Sequence, residues 1–578
     1  MKNMKKLRYL ILVFSFLALN SCKNDFLDRN PLDEISEPEF WKTTGDLELY
    51  SNSFYQNLPG WAGVGNGFSA MPDNGTDLSL SSTDPSNRLL GNVTIPATSS
   101  NSVWFWGNVR KANYFLANVD KASGATSDID QYKGEGLFFR AYYYFILLKS
   151  YGDLPIIDKY ISNNDVEYLY KGRDPRNKVV DFMLADLDQA IALLKTKAAL
   201  TNNNPRINKE AALLLKASIA LYEGTWEKYH KGTAYGVEGS TGTVYLEQAA
   251  AAAKRLIDDK TLSLHTSYAN LFNQTSLSNN PEVILWKQYN FALGNAYGND
   301  LQISWPNRSS YTLFAIRSYL CKDGLPYALS PLYQGDQQLS KLETNRDPRL
   351  AATVMVPGDT LSIALSGAVT PFVVPKLTTN NSAVGGYESQ KYRIPQIDAT
   401  TGNFTRNTAK IIMRYAEALL IYAEAKAELG TITQADMDLS INQLRKRKSV
   451  NMPELVMSSI VTDPNWPDYG YSLTPVLQEI RRERTVELMN EGFRFDDLMR
   501  WRAHALFVGQ RPRGAYYEQL LKNAAGNLKV DSENYLDPYF TAVGASGYGF
   551  KPERDYLNPI PTDEISVNPN LKPNNPGW

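Results

Sequence analysis

Cysteine is almost absent: Cys22 and Cys321 are the two in 578 residues, so a disulfide scaffold is excluded. Histidine is nearly as scarce. His230, His265 and His504 lie far apart, with no pair at the spacing of metal ligands on a helix. Such a set calls for no metal and no cofactor. An excess of one charge is missing too. The chain carries 60 Lys and Arg against 61 Asp and Glu, a formal net charge of -1, which leaves no electrostatic footprint for nucleic acid. A membrane-spanning run is also lacking. The apolar stretch Tyr9 to Leu19, broken by Ser15, reaches about 16 Å as a helix, whereas a bilayer core asks for about 20 residues.

What the N-terminus does carry is a basic start (Lys2, Lys5, Lys6, Arg8) followed by that apolar middle, the build of a secretory signal over residues 1–21. A buried helix would interleave polar positions. Leu19-Asn20-Ser21-Cys22 resembles a bacterial lipobox, although Asn20 departs from the small or apolar residue usual there. The resemblance implies cleavage before Cys22 and diacylglycerol on its sulfur. A disulfide to Cys321 is the alternative use of the same thiol. Acyl chains contribute about 0.8 kcal/mol per buried CH₂, and two or more make a stable anchor. With Cys22 lipidated, Cys321 reads as an unpaired, buried small hydrophobe. Loss of the four leader cations moves the net charge from -1 to about -5.

Aromatic residues are abundant, 12% of the chain, including 35 Tyr and 10 Trp. Helical patterns carry many of them. "VWFWGNVRKANYFLANVD" (103–120) and "DQYKGEGLFFRAYYYFILLKSYGD" (130–153) read as successive helices, the second capped at Gly152. "RDPRNKVVDFMLADLDQAIALLK" (173–195) is expected to start with Asp174 as N-cap and Pro175 at the first helical position. Val179, Phe182, Met183, Leu187, Ile191 and Leu194 form its apolar stripe. Further helices are expected over 208–230 behind Asn208, over 243–258, and over 413–430 up to Gly430. Another begins at Thr433, with Asp436 completing the capping box, and runs through "LSINQLRKR". Each pair makes a helical hairpin whose apolar face asks for a stacked neighbour. Residues 58–101 and 260–408 instead hold short apolar runs among many turn residues, and loops of that length are usually functional. The last 50 residues are mostly turns and need docking on the body.

Six segments in order resemble the SusD/RagB family of outer-membrane nutrient-binding lipoproteins. They are "SCKNDFLDRNP" with "EFW" behind it, "FRAYYYFILLKSYGDLPII", "DPRNKVVDFMLADLDQAI", "RYAEALLIYAEAKAELG", "EIRRERTVELMNEGFRFDDLMRW" and "NPIPTDEISVNPNLKPNNPGW". The resemblance implies a predominantly α fold, a right-handed superhelix of tetratricopeptide-like helix pairs with a loop-rich lobe. On that reading residues 1–21 are the signal peptide and 22–39 a lipidated tether. Residues 40–259 form the N-terminal helical region, 260–408 the variable lobe, and 409–578 the C-terminal helical region and wrap. The resemblance also implies a place and partners: the outer face of the outer membrane, lipid-anchored through Cys22, above a TonB-dependent SusC-like barrel that receives the captured oligomers. Asp25 and Asp28 fit the family's surface-export signal, diluted by Lys23 and Asn24.

"RRERTVELMNEGFRFDDLMRW" is dense in arginine and carboxylate, and the spacing pairs Arg484 with Glu487 and Asp496 with Arg500. It reads as scaffold, a mesh satisfying charges between packed helices. For ligand, flat rings that cover the apolar face of a pyranose are the natural candidates. "AYYYF" (141–145) reads as core, and Trp41, Trp501 and Trp578 sit inside scaffold motifs. In the loops, Trp61 lies between glycines that argue for exposure, and Trp104 and Trp106 open a helix after a polar loop. Trp305 stands beside Asn307, Arg308 and Tyr311. In the family, ligand contacts come from these two regions, the first helix pair and the variable lobe. Carbohydrate capture is the leading expectation. Peptide capture, with Arg88, Arg308 or Arg317 gripping a carboxylate, and a surface glycosidase are the alternatives. No catalytic residue is assigned.

Overall fold

A computed structural model describes residues 40–61, 72–81, 86–200, 205–293, 309–378, 382–396 and 407–578. The expected signal peptide, Cys22 and the tether lie outside them. Helix α1 (Thr44–Asn52) opens on a capping box between Thr43 and Asp46. It is followed by α2 (Gly107–Asn118), α3 (Thr126–Tyr151), α4 (Arg176–Leu193), α5 (Lys209–Tyr229) and α6 (Thr243–Asp258). Consecutive members pack pairwise: α2 on α3, α3 on α4, α4 on α5, α5 on α6. The result is a stack of helical hairpins.

Helix α3 is buried on almost every side through "GEGLFFRAYYYF", as expected of a helix that is apolar all round. Two glycines let it run that close to its neighbours. A Cβ on Gly134 would lie 2.8 Å from Leu194 Cγ, and one on Gly136 would lie 2.7 Å from Phe115 Cδ1. Asn208 caps α5 by accepting the Ala211 N–H at 2.8 Å. Helix α4 starts one residue later than the sequence suggests, with Pro175 outside it as N-cap. Asp174 does not cap it; its carboxylate accepts the Ile156 N–H at 2.7 Å. The Arg176 N–H goes to Asp153 Oδ1 at 2.8 Å, so the acceptor comes from the preceding loop.

The stack does not end at α6. Strand β1 (Ser79–Ser81) belongs to the long loop before α2. Strand β2 (Val283–Lys287) leaves the stack after α6, and the chain returns through β6 (Lys410–Arg414), its antiparallel partner. Helix α8 (Tyr415–Glu428) then packs on α6 as the next member. The helix expected from Thr433 is broken at Ser440 into α9 (Gln434–Leu439) and α10 (Ile441–Lys446). Helix α11 (Pro475–Glu487) packs on α8, and α12 (Arg494–Arg500) lies across α5. Between β2 and β6 the described lobe holds β3 (Ser309–Tyr311), α7 (Leu313–Ser318) and a hairpin of β4 (Thr360–Ile363) and β5 (Val369–Pro371). Strand β3 pairs with β1. The lobe's own apolar cluster, around Ile316, Leu350 and Tyr387, reaches Val486 and Met489 at the end of α11. Cys321 is a free, buried thiol within the lobe.

The arginine-rich motif is a mesh between elements. Its pairs differ from the helical spacing expected. Arg484 Nε meets Asp497 at 2.8 Å, Arg500 meets Glu424 at 2.6 Å, and Asp496 takes Lys149 at 2.6 Å. Glu487 serves Arg414 at 2.7 Å, Arg447 at 2.8 Å and Arg349 at 3.0 Å. These residues point inward, where planar forks from several elements satisfy more donors than a neighbour on the same helix. Burial alone would raise the Glu487 carboxyl; Arg447, Arg414 and Arg349 overcome it and hold the group at about 2.

The C-terminal segment docks as the sequence requires. Asn558 N–H donates to Ser150 O at 2.7 Å, and Arg173 donates to Pro573 O at 3.1 Å. A last short helix, α13 (Thr562–Val567), meets the loop ahead of α2, where Thr562 N–H donates to Pro96 O at 3.0 Å.

Candidate functional site

The segment that leads into α2 alternates in burial. Val103 is 48% exposed, Trp104 3%, Phe105 61%, and Trp106 is half-buried. Ser102 has extended dihedrals, and the chain then turns at Trp104, where the Phe105 N–H donates to Val103 O at 2.8 Å. Trp104 turns inward, edge-on to Tyr151 with centroids 4.9 Å apart and to Trp106 at 5.5 Å. Trp106 in turn meets Tyr144 at 5.8 Å. Phe105 turns out and lies over the first helical residue. A Cβ on Gly107 would sit 2.4 Å from Phe105 Cζ, so glycine makes room for the ring.

Beside this segment lies a hollow of about 610 Å³, lined by Asn87, Asn92, Thr94, Asn101, Ser102 and Asn558 together with Val103 and Tyr151. No lining residue among those described is charged. At its back the buried Tyr151 hydroxyl makes no hydrogen bond of ordinary geometry with the described residues; the Ser102 side chain and the Val103 and Trp104 backbones lie close to it. Burial pushes this phenol up. Buried polar groups are rarely left unpaired, and one at a cavity wall marks a place for water or ligand. Arg88 stands behind the rim, its guanidinium donating to Asn558 Oδ1 and lying 5.3 Å from the Phe495 ring centroid. Burial lowers its pKa.

On the other side of the same segment, Trp104 and Trp106 line a groove of about 300 Å³ with Tyr168, Leu169, Lys171 and Val567. Lys159 lies over the Tyr168 ring at 4.3 Å. The two depressions thus share the start of α2. One offers amides and hydroxyls; the other is mainly apolar.

The remaining sequence candidates are placed elsewhere. Trp61 is 6% exposed, which corrects the exposure inferred from its flanking glycines. Its indole N–H donates to Thr408 O at 2.9 Å, its ring meets Tyr392 at 5.3 Å, and Lys410 covers it at 4.2 Å. Burial lowers that lysine to about 8. Tyr311 sits in β3 with its hydroxyl 3.2 Å from Ser389 Oγ, wholly inside the lobe core. Burial pushes its phenol up. Trp61, Trp104 and Tyr311 belong to three different apolar clusters, so the structure does not bring them together. Trp305, Asn307 and Arg308 lie outside the described residues. Phe105 and the asparagines of the hollow were not among the sequence candidates. The alternation in Val-Trp-Phe-Trp, ended by Gly107, is the signal that would have found Phe105.

Among the described residues no group of three His, Cys, Asp or Glu is placed to hold a metal ion, and no helix is long and apolar enough to cross a membrane. The three histidines are spent locally: His504 Nδ1 lies 2.7 Å from the Tyr556 hydroxyl, His265 Nδ1 2.8 Å from Ser267 O, and His230 Nε2 2.9 Å from Met499 O.

Stacked helical hairpins, interrupted by a loop-rich lobe and carrying an aromatic helix start beside a polar hollow, define a class of binding scaffold. Comparison with known proteins places the chain within it. The model of the SusD family matches residues 271–578, and a second, described as "Starch-binding associating with outer membrane", matches residues 77–221. The chain belongs to the SusD family. It is 24% identical to SusD-like protein P2 of Formosa agariphila, over the whole of both chains. It is 23% identical to SusD-like protein P38 of the same organism, over 86% of this chain and 92% of that one. Among solved structures it is similar to a SusD-like carbohydrate-binding protein of Bacteroides fragilis, with a TM-score of 0.72 and 23% identity, covering 92% of this chain and all of that one. A laminarin-binding SusD-like protein aligns with a TM-score of 0.55 and 19% identity, over 93% of this chain and all of that one.

Proposed function

We propose that this chain is a non-catalytic, cell-surface lipoprotein of the outer membrane that captures an oligo- or polysaccharide and passes it to a TonB-dependent SusC-like transporter. The observation that carries the ligand class is the hollow beside α2: asparagine, serine and threonine side chains without a charge among the described lining residues, on a segment that two residues further on exposes the Phe105 ring. Neutral donors and acceptors suit sugar hydroxyls, and a flat ring suits the C–H face of a pyranose. A peptide carboxylate or a phosphate would call for a cation there. None of the hollow's described lining residues is a carboxylate, whereas glycoside hydrolysis uses two. Relatives named as carbohydrate-binding and laminarin-binding, and a family description that joins starch binding to the outer membrane, support the same reading. The basic-apolar leader and Cys22 supply the anchor on this reading, and the lobe residues Trp305, Asn307 and Arg308 remain proposed contacts.

Electrophoresis of the purified chain through gels containing different neutral glycans tests the proposal. Retardation by at least one glycan is expected, with no release of reducing ends. Binding of peptides and of no glycan would replace the sugar reading, and released reducing ends would overturn the non-catalytic one.

A further inference from the structure

A second cleft, of about 400 Å³, lies where three chain segments meet: α7 of the lobe, the loop 463–469 ahead of α11, and residues 505–513. Sites of this size at the junction of two bodies are where small ligands are commonly held. Its chemistry is unlike that of the hollow beside α2. Rings of Phe314, Tyr327 and Trp466 share the wall with the guanidinium groups of Arg317, Arg511 and Arg513. Each of these arginines keeps about a quarter of its side chain exposed, 26%, 29% and 27% in that order.

Their carboxylate partners are not among the residues that line the cleft. Arg317 Nε is 2.8 Å from Asp336, Arg511 Nε is 2.9 Å from Asp537, and Arg513 meets two carboxylates, Asp531 from Nε at 2.5 Å and Glu533 from Nη2 at 2.9 Å. The pairs of Arg511 and Arg513 are close in distance but off the hydrogen-bond axis, so Arg511 Nε, Arg513 Nε and Arg513 Nη2 make no aligned hydrogen bond. Arg317 and Arg513 both lie against the Tyr535 ring, 5.4 Å and 4.5 Å from its centroid. Two like charges therefore converge on one side of the cleft. Of the lining carboxylates, Asp77 and Asp463 are bound to Arg494 and Arg482, each at 2.7 Å. Asp468, on the opposite loop, accepts the Gly470 N–H at 2.7 Å. Exposed amides of Asn465 and Gln510 stand among the lining residues.

The geometry points to a second binding site, for a sugar unit that carries a carboxylate. Guanidinium groups bind carboxylates through paired N–H donors, the rings offer a flat apolar surface, and the two amides suit hydroxyls. A bare inorganic anion would leave the rings unused, and a neutral sugar would not draw on the exposed quarter of each guanidinium-bearing side chain that its carboxylate partners leave open. The inference concerns a different cleft from the hollow beside α2, and it stands or falls separately from the function proposed above.

Isothermal titration of the full chain with a digalacturonate, with uncharged galactobiose and with acetate tests it. Gln510→Glu places a carboxylate beside the arginines while disturbing no ion pair, and it is expected to weaken digalacturonate binding about tenfold or more. Arg513→Gln is expected to do the same. Phe105→Ala, at the other site, is expected to leave this binding unchanged. Absence of digalacturonate binding overturns the inference, as does equal binding of galactobiose, equal competition by acetate, or wild-type affinity in Gln510→Glu and Arg513→Gln. Loss on Phe105→Ala alone would move the acidic sugar to the hollow and also overturn it.

Discussion

Asp73 Oδ2 accepts the Asn490 backbone N–H at 2.6 Å, joining residues 417 positions apart. The other carboxylate oxygen takes the Gly492 N–H at 3.1 Å. One side chain thus closes the turn ahead of α12 and holds the approach to β1 against the helical body. Burial raises this acid from 3.8 to about 6, although the backbone donors of Asn490 and Arg494 pull the other way. The folded state then binds a proton that the unfolded state releases, between those two values. This group's contribution to stability is greatest below pH 3.8 and declines as pH rises through about 6. Relative to Asp73→Asn, the wild type is expected to lose on the order of 2–3 kcal/mol between pH 4 and 6. Thermal unfolding of both proteins across that range measures it, and a flat difference would contradict it.

Glu487 has the opposite sign. Its folded value near 2 lies below the ordinary 4.5, so its stabilisation is fully present above pH 4.5 and is lost as pH falls towards 2. Glu487→Gln removes the carboxylate that Arg414, Arg447 and Arg349 share; Glu282, Glu491, Asp347 and Glu483 still pair with them, but the buried mesh is left one negative charge short. A loss of about 3–5 kcal/mol at pH 7 is expected by denaturant unfolding. A loss below about 1 kcal/mol, the range of exposed pairs, would show the mesh to be dispensable.

The two aromatics at 104 and 105 should separate folding from binding. Phe105→Ala is expected to weaken glycan retention about three- to tenfold with an unchanged melting temperature. Trp104→Ala empties a core position and should destabilise the fold by about 3–5 kcal/mol. If Phe105→Ala bound glycan as well as the wild type, the exposed ring would not be part of the site.

Gly136→Ala tests the closeness of α3 to α2. In an isolated helix the change would stabilise by roughly 0.5–1 kcal/mol. Against the Phe115 ring, overpacking of about 1–3 kcal/mol is expected to win. A melting temperature equal to or above that of the wild type would mean that α2 yields without strain.

Periodicity made the helical stack legible. Val179, Met183, Leu187 and Ile191 recur on one face and are buried together, because a helix repeats its own surface within a few residues. Asn208 and Thr433 cap where their side chains demand. What failed to show was long-range. Trp61 looks exposed between glycines, yet Tyr392 and Lys410 cover it from more than three hundred residues away. Arg484 and Asp496 have partners at helical spacing in the sequence, but both point to other elements. Phe105 was hidden for a different reason. Tryptophan draws attention by size, whereas the chain conformation ahead of α2 decides which ring faces outward.

The β2–β6 ladder sets the exit and re-entry of the lobe side by side: Trp286 stands opposite Ile411 and Lys287 opposite Lys410. A tour of some 120 residues therefore begins and ends at one doorway, and α8 docks on α6 as if the traveller had never left. Loop closure grows only slowly with length, about 0.6 kcal/mol for each doubling. Tours of other lengths and itineraries fit the same doorway at little energetic penalty, so this architecture can be refitted for new cargo without rebuilding its spine.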